Sequence, residues 1–157
     1  MSLKYFAAAA LAACALVPGT GFAQMISAKE PAKMVSLLQK KGYRAEIETD
    51  ESGTRIRSAD SGRNFTIFFM SCDDQEKNCT TIQFYAGFSD LKSTQLSKIN
   101  EWNKTRRFAR AYIDGEGDPV IEMDVDLDFN GIPEENFMAN LEIFTDSLSA
   151  YVPFLKE

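Results

Sequence analysis

The sequence predicts an α+β domain: an antiparallel sheet of five to six strands flanked by three helices, in the order α-β-β-β-β-α-β-β-α. Three observations predict it. Apolar residues recur at helical spacing in three separated stretches, and between those stretches the period switches to two, with turn signals at short intervals. From about Ser27 onward no linker, repeat or low-complexity tract divides the chain, so residues 24–157 are read as one domain.

The first 23 residues read as a leader rather than as part of the fold. Lys4 supplies a positive start, Tyr5 to Val17 form an apolar, Ala-rich run, and Pro18-Gly19 break it. Gly21-Phe22-Ala23 places small residues at the −3 and −1 positions of a cleavage site, which is the layout of a secretory signal peptide. The expectation is an exported, periplasmic protein cleaved after Ala23 to leave Gln24 first. Leu11-Ala12-Ala13-Cys14 also matches a lipobox, in which Cys14 would be lipidated. The apolar run continues past Cys14 to Val17, where a lipobox should close it, so a lipoprotein is the minor alternative.

Met34, Val35, Leu37 and Leu38 mark a helix over residues 31–41, stopped by Gly42. In 43–50, Tyr43, Ala45, Ile47 and Thr49 alternate with Arg44, Glu46, Glu48 and Asp50; Ser52-Gly53 signals a hairpin turn, and Arg55, Ile56 and Arg57 continue the alternation. Two registers fit. One sets Glu48 opposite Arg57 and Ile47 opposite Ser58; the other pairs Asp50 with Gly53 and sets Glu46–Arg57, Glu48–Arg55 and Ile47–Ile56. Either puts opposite charges on one face and apolar residues on the other. Residues 65–70, apolar on both faces, read as a central strand with 81–88 as its antiparallel partner.

A second helix covers residues 94–104, with Leu96, Ile99 and Trp102 or Asn103 on its inner side. A second charged hairpin joins 108–113 to 120–129 through Gly115 and Gly117, with Arg110 facing Glu122 and Arg106 facing Asp126. In the last helix Phe137, Leu141, Phe144, Leu148, Tyr151 and Leu155 recur at spacings 4-3-4-3-4, with Pro133 in the first turn and Pro153 expected to end or bend it. That stripe is expected to lie within the core of one chain, beside Ile47, Ile67, Ala109, Ile121 and Met123.

Charge and cysteine usage narrow the function. Without the leader the chain holds 16 basic and 23 acidic residues, a net charge of −7. Scattered basic residues on an acidic protein make no patch for phosphates, so no nucleic-acid partner is expected. No later segment reaches the twenty or so apolar residues a membrane span needs. Cys72 and Cys79 remain as an even pair expected to bond across a hairpin mouth, a closure contributing about 2–2.5 kcal/mol in the chain-entropy model. The chain contains no His, which removes Ser-His and Cys-His nucleophile systems and the usual zinc sets. No glycine-rich phosphate loop occurs and no cofactor is expected.

Two acidic motifs could carry chemistry. Asp126-x-Asp128-x-Asn130-Gly131 starts like an EF-hand loop, but the twelfth position, where a bidentate carboxylate is needed, is Phe137. A calcium-dependent structural protein would follow from it; an Asn-Gly turn after a strand is the plainer reading. Glu122, Asp124, Asp126 and Asp128 fall at period two on one strand face, about 6.5–7 Å apart, a span that inverting glycosidase pairs also use. A carboxylate-based hydrolase centred there is the enzymatic alternative to a solvated, charge-paired surface.

Ile99-Asn100-Glu101-Trp102-Asn103, then Arg107-Phe108, Ala111-Tyr112-Ile113-Asp114 and the run from Asp118 to Asp126, resemble the YbjN family of bacterial proteins. Cys72, Cys79 and the opening Leu37-Leu38-Gln39 with Gly42-Tyr43 extend the likeness over nearly all of residues 24–157. The family is described as sensory-transduction regulators with no established reaction, and its fold resembles that of type III secretion chaperones, proteins that commonly pair into dimers. The resemblance implies that fold and a non-enzymatic binding role. It marks Asn100, Glu101, Trp102, Asn103, Arg107 and Phe108 as signature residues and candidate binding residues. On a helix with Leu96 and Ile99, Trp102 reads as core-edge, and Asn100 and Asn103 as satisfying backbone groups. The resulting expectation is an exported module, chaperone-like or regulatory, that binds an unknown protein, with a homodimer open and any dimerisation away from the last helix.

Overall fold

Successive antiparallel hairpins build most of the molecule, most closed by short polar turns and one by the longer loop of residues 71–80. The computed structural model describes residues 24–157; the leader, its cleavage point and Cys14 lie outside the described residues. The strands are β1 (Met25–Ile26), β2 (Arg44–Asp50), β3 (Gly53–Asp60), β4 (Arg63–Met70), β5 (Thr81–Gly87), β6 (Arg110–Ile113), β7 (Pro119–Asp126) and β8 (Ile132–Pro133). The helices are α1 (Pro31–Lys40), α2 (Leu96–Thr105) and α3 (Glu134–Lys156), with one 3-10 turn at Ser89–Leu91. Six strands form one antiparallel sheet in the order β2-β3-β4-β5-β7-β6, and β1 pairs separately with β8.

The first hairpin takes the register that closes Asp50 against Gly53, so Glu46, Ile47 and Glu48 lie opposite Arg57, Ile56 and Arg55. Relative to the alternative, this shift of two keeps each side chain on its face and gains an Ile–Ile cross-strand pair. The row Ile56, Ile67, Phe84 and Met123 then runs straight across four strands, all buried. Onto it packs α3. Phe137, Leu141, Phe144, Leu148 and Tyr151 are each 1 % exposed or less. Phe144 stacks on Phe84 at 5.3 Å between ring centroids and meets Phe65 edge-on at 5.7 Å. The helical stripe is therefore core, as its regular spacing predicts.

Several local expectations shift. Ile47 is 44 % exposed, because β2 is the sheet's edge and α1 covers that strand at Ala45, 2 % exposed, but not at Ile47. Leu96 is exposed as well; α2 starts there and packs on short β6 mainly through its second half. Residues 65–70 form an interior strand, but only one face is covered by helices: Phe65 and Ile67 are buried, whereas Phe68 is half-buried and Met70 exposed. The second hairpin is shorter than expected at both ends. Phe108 adopts a positive φ of 71° outside β6, and Phe129 and Asn130, also at positive φ, turn the chain after β7. Arg106 caps α2 and lies 5.3 Å over the Trp102 ring instead of facing Asp126. Pro133 is the residue before α3, not within its first turn, and Pro153 neither ends nor interrupts the helix, which continues to Lys156. A proline so near the end deprives one carbonyl of its partner, and Phe154, 5.5 Å from the Trp102 ring, keeps the last turn docked.

The sulfurs of Cys72 and Cys79 lie 2.05 Å apart, bonded across the β4–β5 loop. Asp73 braces that loop by accepting from the backbone N–H groups of Gln75 and Lys77 and from Asn78 Nδ2. At Gly131 φ is 92°, and a Cβ there would collide with the Ile26 carbonyl oxygen, so only glycine lets β1 lie against the turn before α3. No helix among the described residues is long and apolar enough to cross a membrane.

Candidate functional site

The signature residues meet where α2 runs along the outer edge of β6. Trp102 is 1 % exposed, held edge-on to Tyr151 at 4.9 Å, and its Nε1 donates to the Ala109 carbonyl at 3.2 Å. Asn103 Nδ2 donates to the Ala111 carbonyl at 2.9 Å, and its Oδ1 accepts the Ala111 N–H at 2.8 Å. Two adjacent helix residues thus bond the outward-facing backbone of Ala111 in β6, and of Ala109 just before the strand, as a neighbouring strand would, covering that edge of the sheet. Trp102 and Asn103 hold the fold. Asn100, Glu101, Arg107 and Phe108 remain at the surface. Phe108 is 63 % exposed, with the Arg107 guanidinium 4.9 Å over its ring.

The opposite face of the sheet carries no helix. Register places one row of side chains across all six strands: Glu46, Arg57, Thr66, Tyr85, Glu122 and Arg110. Beside it runs a second row of Glu48, Arg55, Phe68, Gln83 and Asp124. At the centre Phe68 and Tyr85, both half-buried, meet edge-on at 5.5 Å. Charges flank them on both sides. Arg55 donates to Glu48 at 3.1 Å and to Asp50 at 2.6 Å, and the guanidinium holds the Asp50 carboxyl below its ordinary range.

The acidic strand is not the exposed stripe that its periodicity suggests. Glu122 is 3 % exposed, ion-paired to Arg110 and accepting the Tyr112 hydroxyl at 3.2 Å. Partial burial and the neighbouring Glu122 carboxylate push the Tyr112 phenol up to about 12. Asp124 accepts Gln83 Nε2 at 2.9 Å, while Asp126 and Asp128 accept backbone N–H groups of the following turn. Arg110 reaches both Glu122 and, at 3.9 Å, Asp124, so that pair of carboxylates faces a guanidinium and not a cleft, while Asp126 and Asp128 are taken up by the turn. Among the described residues no cluster of three acidic or cysteine side chains could hold a metal ion. The EF-hand-like segment instead uses Asp126 and Asp128 to fold a turn that leaves Phe129 88 % exposed.

A groove of about 470 Å³ opens at the far end of the sheet, between the β2–β3 turn and the disulfide. Phe68, Phe69 and Met70 floor it, Cys72–Cys79 forms one wall, and Lys29, Lys77 and Glu76 stand at its rim. Sequence reasoning singled out neither the groove nor the Phe68–Tyr85 pair. Alternation alone could have found the pair, since both residues fall on the face shared by Arg55, Arg57 and Glu122.

No curated protein matches the chain. Among solved structures it is similar to the crystal structure of YbjN, a "putative transcription regulator" from E. coli. The TM-score is 0.60 at 11 % identity, over 85 % of this chain and 93 % of that one, a likeness of fold. The model of the YbjN family, described as "Putative bacterial sensory transduction regulator", matches residues 31–157. Spanning both hairpins, all three helices and the Trp102–Asn103 edge seal, that match shows that the chain belongs to the YbjN family.

Proposed function

We propose that this chain is an exported, periplasmic, non-enzymatic protein-binding module, chaperone-like or regulatory, whose partner docks on the helix-free sheet face. The observation that carries this reading is the half-exposed Phe68–Tyr85 pair at the centre of that face, flanked by charged residues of β2 and β3 on one side and of β7 and β6 on the other. An aromatic centre inside a charged rim is how protein interfaces divide affinity from specificity. Family membership supports a regulatory role, and the excess of acidic over basic residues favours a protein partner over nucleic acid.

Crosslinking capture from the exported fraction tests it, using the parent chain beside a Phe68→Ser, Tyr85→Ser double variant. The reading requires a reproducible partner with the parent chain and its loss with the variant. Capture of nothing reproducible, or equal capture by both, would overturn it. Fractionation of cells with N-terminal sequencing tests export, with Gln24 expected as the first residue.

A further inference from the structure

The two edges of the six-stranded sheet are finished differently. At the β6 edge Trp102 takes the carbonyl of Ala109, just before the strand, and Asn103 takes the outward N–H and C=O of Ala111. At β2 the corresponding service is slight: Gln39 Nε2 donates to the Ala45 carbonyl at 2.9 Å. Backbone groups along an antiparallel strand point alternately toward the partner and away from it. Because Asp50 closes against Gly53 around a two-residue turn, Glu46 and Glu48 bond β3, and the N–H and C=O groups of Ile47 and Thr49 point outward. Among the described residues none bonds those groups from the outside.

The side chains along the same stretch state what could cover it. Glu46, Glu48 and Asp50 line its helix-free face, with Arg44 at the near end, and Ile47 lies 44 % exposed on the other face. Arg55 and Arg57 neutralise Glu48 and Asp50 from the inner side, while Glu46 has no ion pair among the described residues.

We propose that the β2 edge around Ile47 and Thr49 accepts an extended segment of a partner protein as a seventh strand, one carrying arginine or lysine at alternate positions with apolar residues between them. The chain's own β3 shows the complementarity, with Arg57, Ile56 and Arg55 opposite Glu46, Ile47 and Glu48. A second copy of β2 fits poorly. Every two-fold antiparallel pairing within β2 that uses the outward groups of Ile47 or Thr49 sets an acid opposite an acid: Glu46 against Glu46 or Glu48, or Glu48 against Glu48 or Asp50. Like charges directly opposed destabilise a strand pair. Strand addition supplies affinity through the main chain and specificity through alternate side chains. This inference rests on the protein-binding reading but can fail separately from it.

The probe is a fluorescein-labelled synthetic peptide of alternating arginine and valine, followed by fluorescence anisotropy. One control peptide replaces arginine with glutamate; the other is methylated on alternate backbone nitrogens so that it cannot pair. The arginine peptide should bind at least about tenfold more tightly than either control. Ile47→Pro removes an N–H that β3 does not use, a change that edge strands tolerate, and should weaken binding about tenfold. Glu46→Lys keeps every backbone bond, so it carries the test if the proline variant does not fold; it should weaken the arginine peptide and favour the glutamate peptide. Equal binding of the methylated peptide, full binding by both variants, or no binding of the arginine peptide overturns the proposal. If both variants capture the cellular partner as well as the parent chain does, the edge proposal falls and the binding-module reading stands. If no partner is captured while the arginine peptide still binds the edge, that reading falls instead.

Discussion

Asn103 and Ala111 exchange two hydrogen bonds, a side-chain amide against a backbone amide, at 2.9 and 2.8 Å. The geometry imitates one rung of a strand pair, and it places an asparagine where β6 would otherwise offer a free edge. Asn103→Ala leaves the Ala111 N–H and C=O without these partners and should cost about 1–3 kcal/mol. Asn103→Asp retains the acceptor and loses the donor. Hydrogen exchange of the Ala111 amide separates the two, with protection lost in the alanine variant and kept in the aspartate one. Unchanged protection in Asn103→Ala would show that the edge is held by other contacts.

Phe144 is fully buried between Phe65 and Phe84. Phe144→Ala should destabilise the chain by about 3–5 kcal/mol, a large part of the roughly 5–15 kcal/mol that such a domain holds. Urea unfolding followed by circular dichroism measures it. A loss below about 1 kcal/mol would mean that the α3 stripe is not core in solution.

The Cys72–Cys79 bond closes a short loop, and its removal should lower stability by about 2–2.5 kcal/mol in the chain-entropy model. Titration with a thiol reagent under denaturing, non-reducing conditions should find no free thiol from these two residues in the protein purified without reductant. Two free thiols per chain would contradict the bond.

Tyr112 should ionise near 12, because burial and the Glu122 carboxylate both oppose a phenolate. A phenol whose folded value lies above the ordinary value near 10 stabilises the fold fully below pH ~10 and loses that contribution as pH rises through its folded value. Glu122→Gln removes the neighbouring charge and should lower the Tyr112 midpoint. Ultraviolet titration of the parent and of that variant, each compared with its Tyr112→Phe counterpart, isolates this residue. A midpoint indifferent to Glu122 would rule out the electrostatic cause.

Elements whose pattern is local and regular were readable from sequence. The α3 stripe, the charged and apolar faces of the first hairpin and the Arg110–Glu122 pairing follow from period and turn position, whereas the choice between the two registers of that hairpin does not. What periodicity cannot supply is position within the sheet. Ile47 and Ile56 occupy equivalent places in their strands, yet one is 44 % exposed and the other buried, because β2 is an edge and β3 is not. The same gap explains the candidate site. Phe68 stands among core-like neighbours in sequence, and only the absence of a helical layer on its face exposes it. Trp102 and Asn103 were visible as a signature, but their bonds reach β6, whose register no helical pattern encodes.

The pairing of Met25–Ile26 with Ile132–Pro133 has a consequence for the order in which the chain assembles. β2 through β5 are consecutive hairpins whose contacts lie close in sequence, so this meander closes only short loops. β1 precedes them all, yet its partner arrives near the far end of the chain, past Gly131. A ribosome-tethered chain therefore carries Ile26, 1 % exposed in the finished fold, without its strand partner until Ile132 and Pro133 have emerged. The segment nearest the start of the domain is fastened only when the turn that leads into α3 is made.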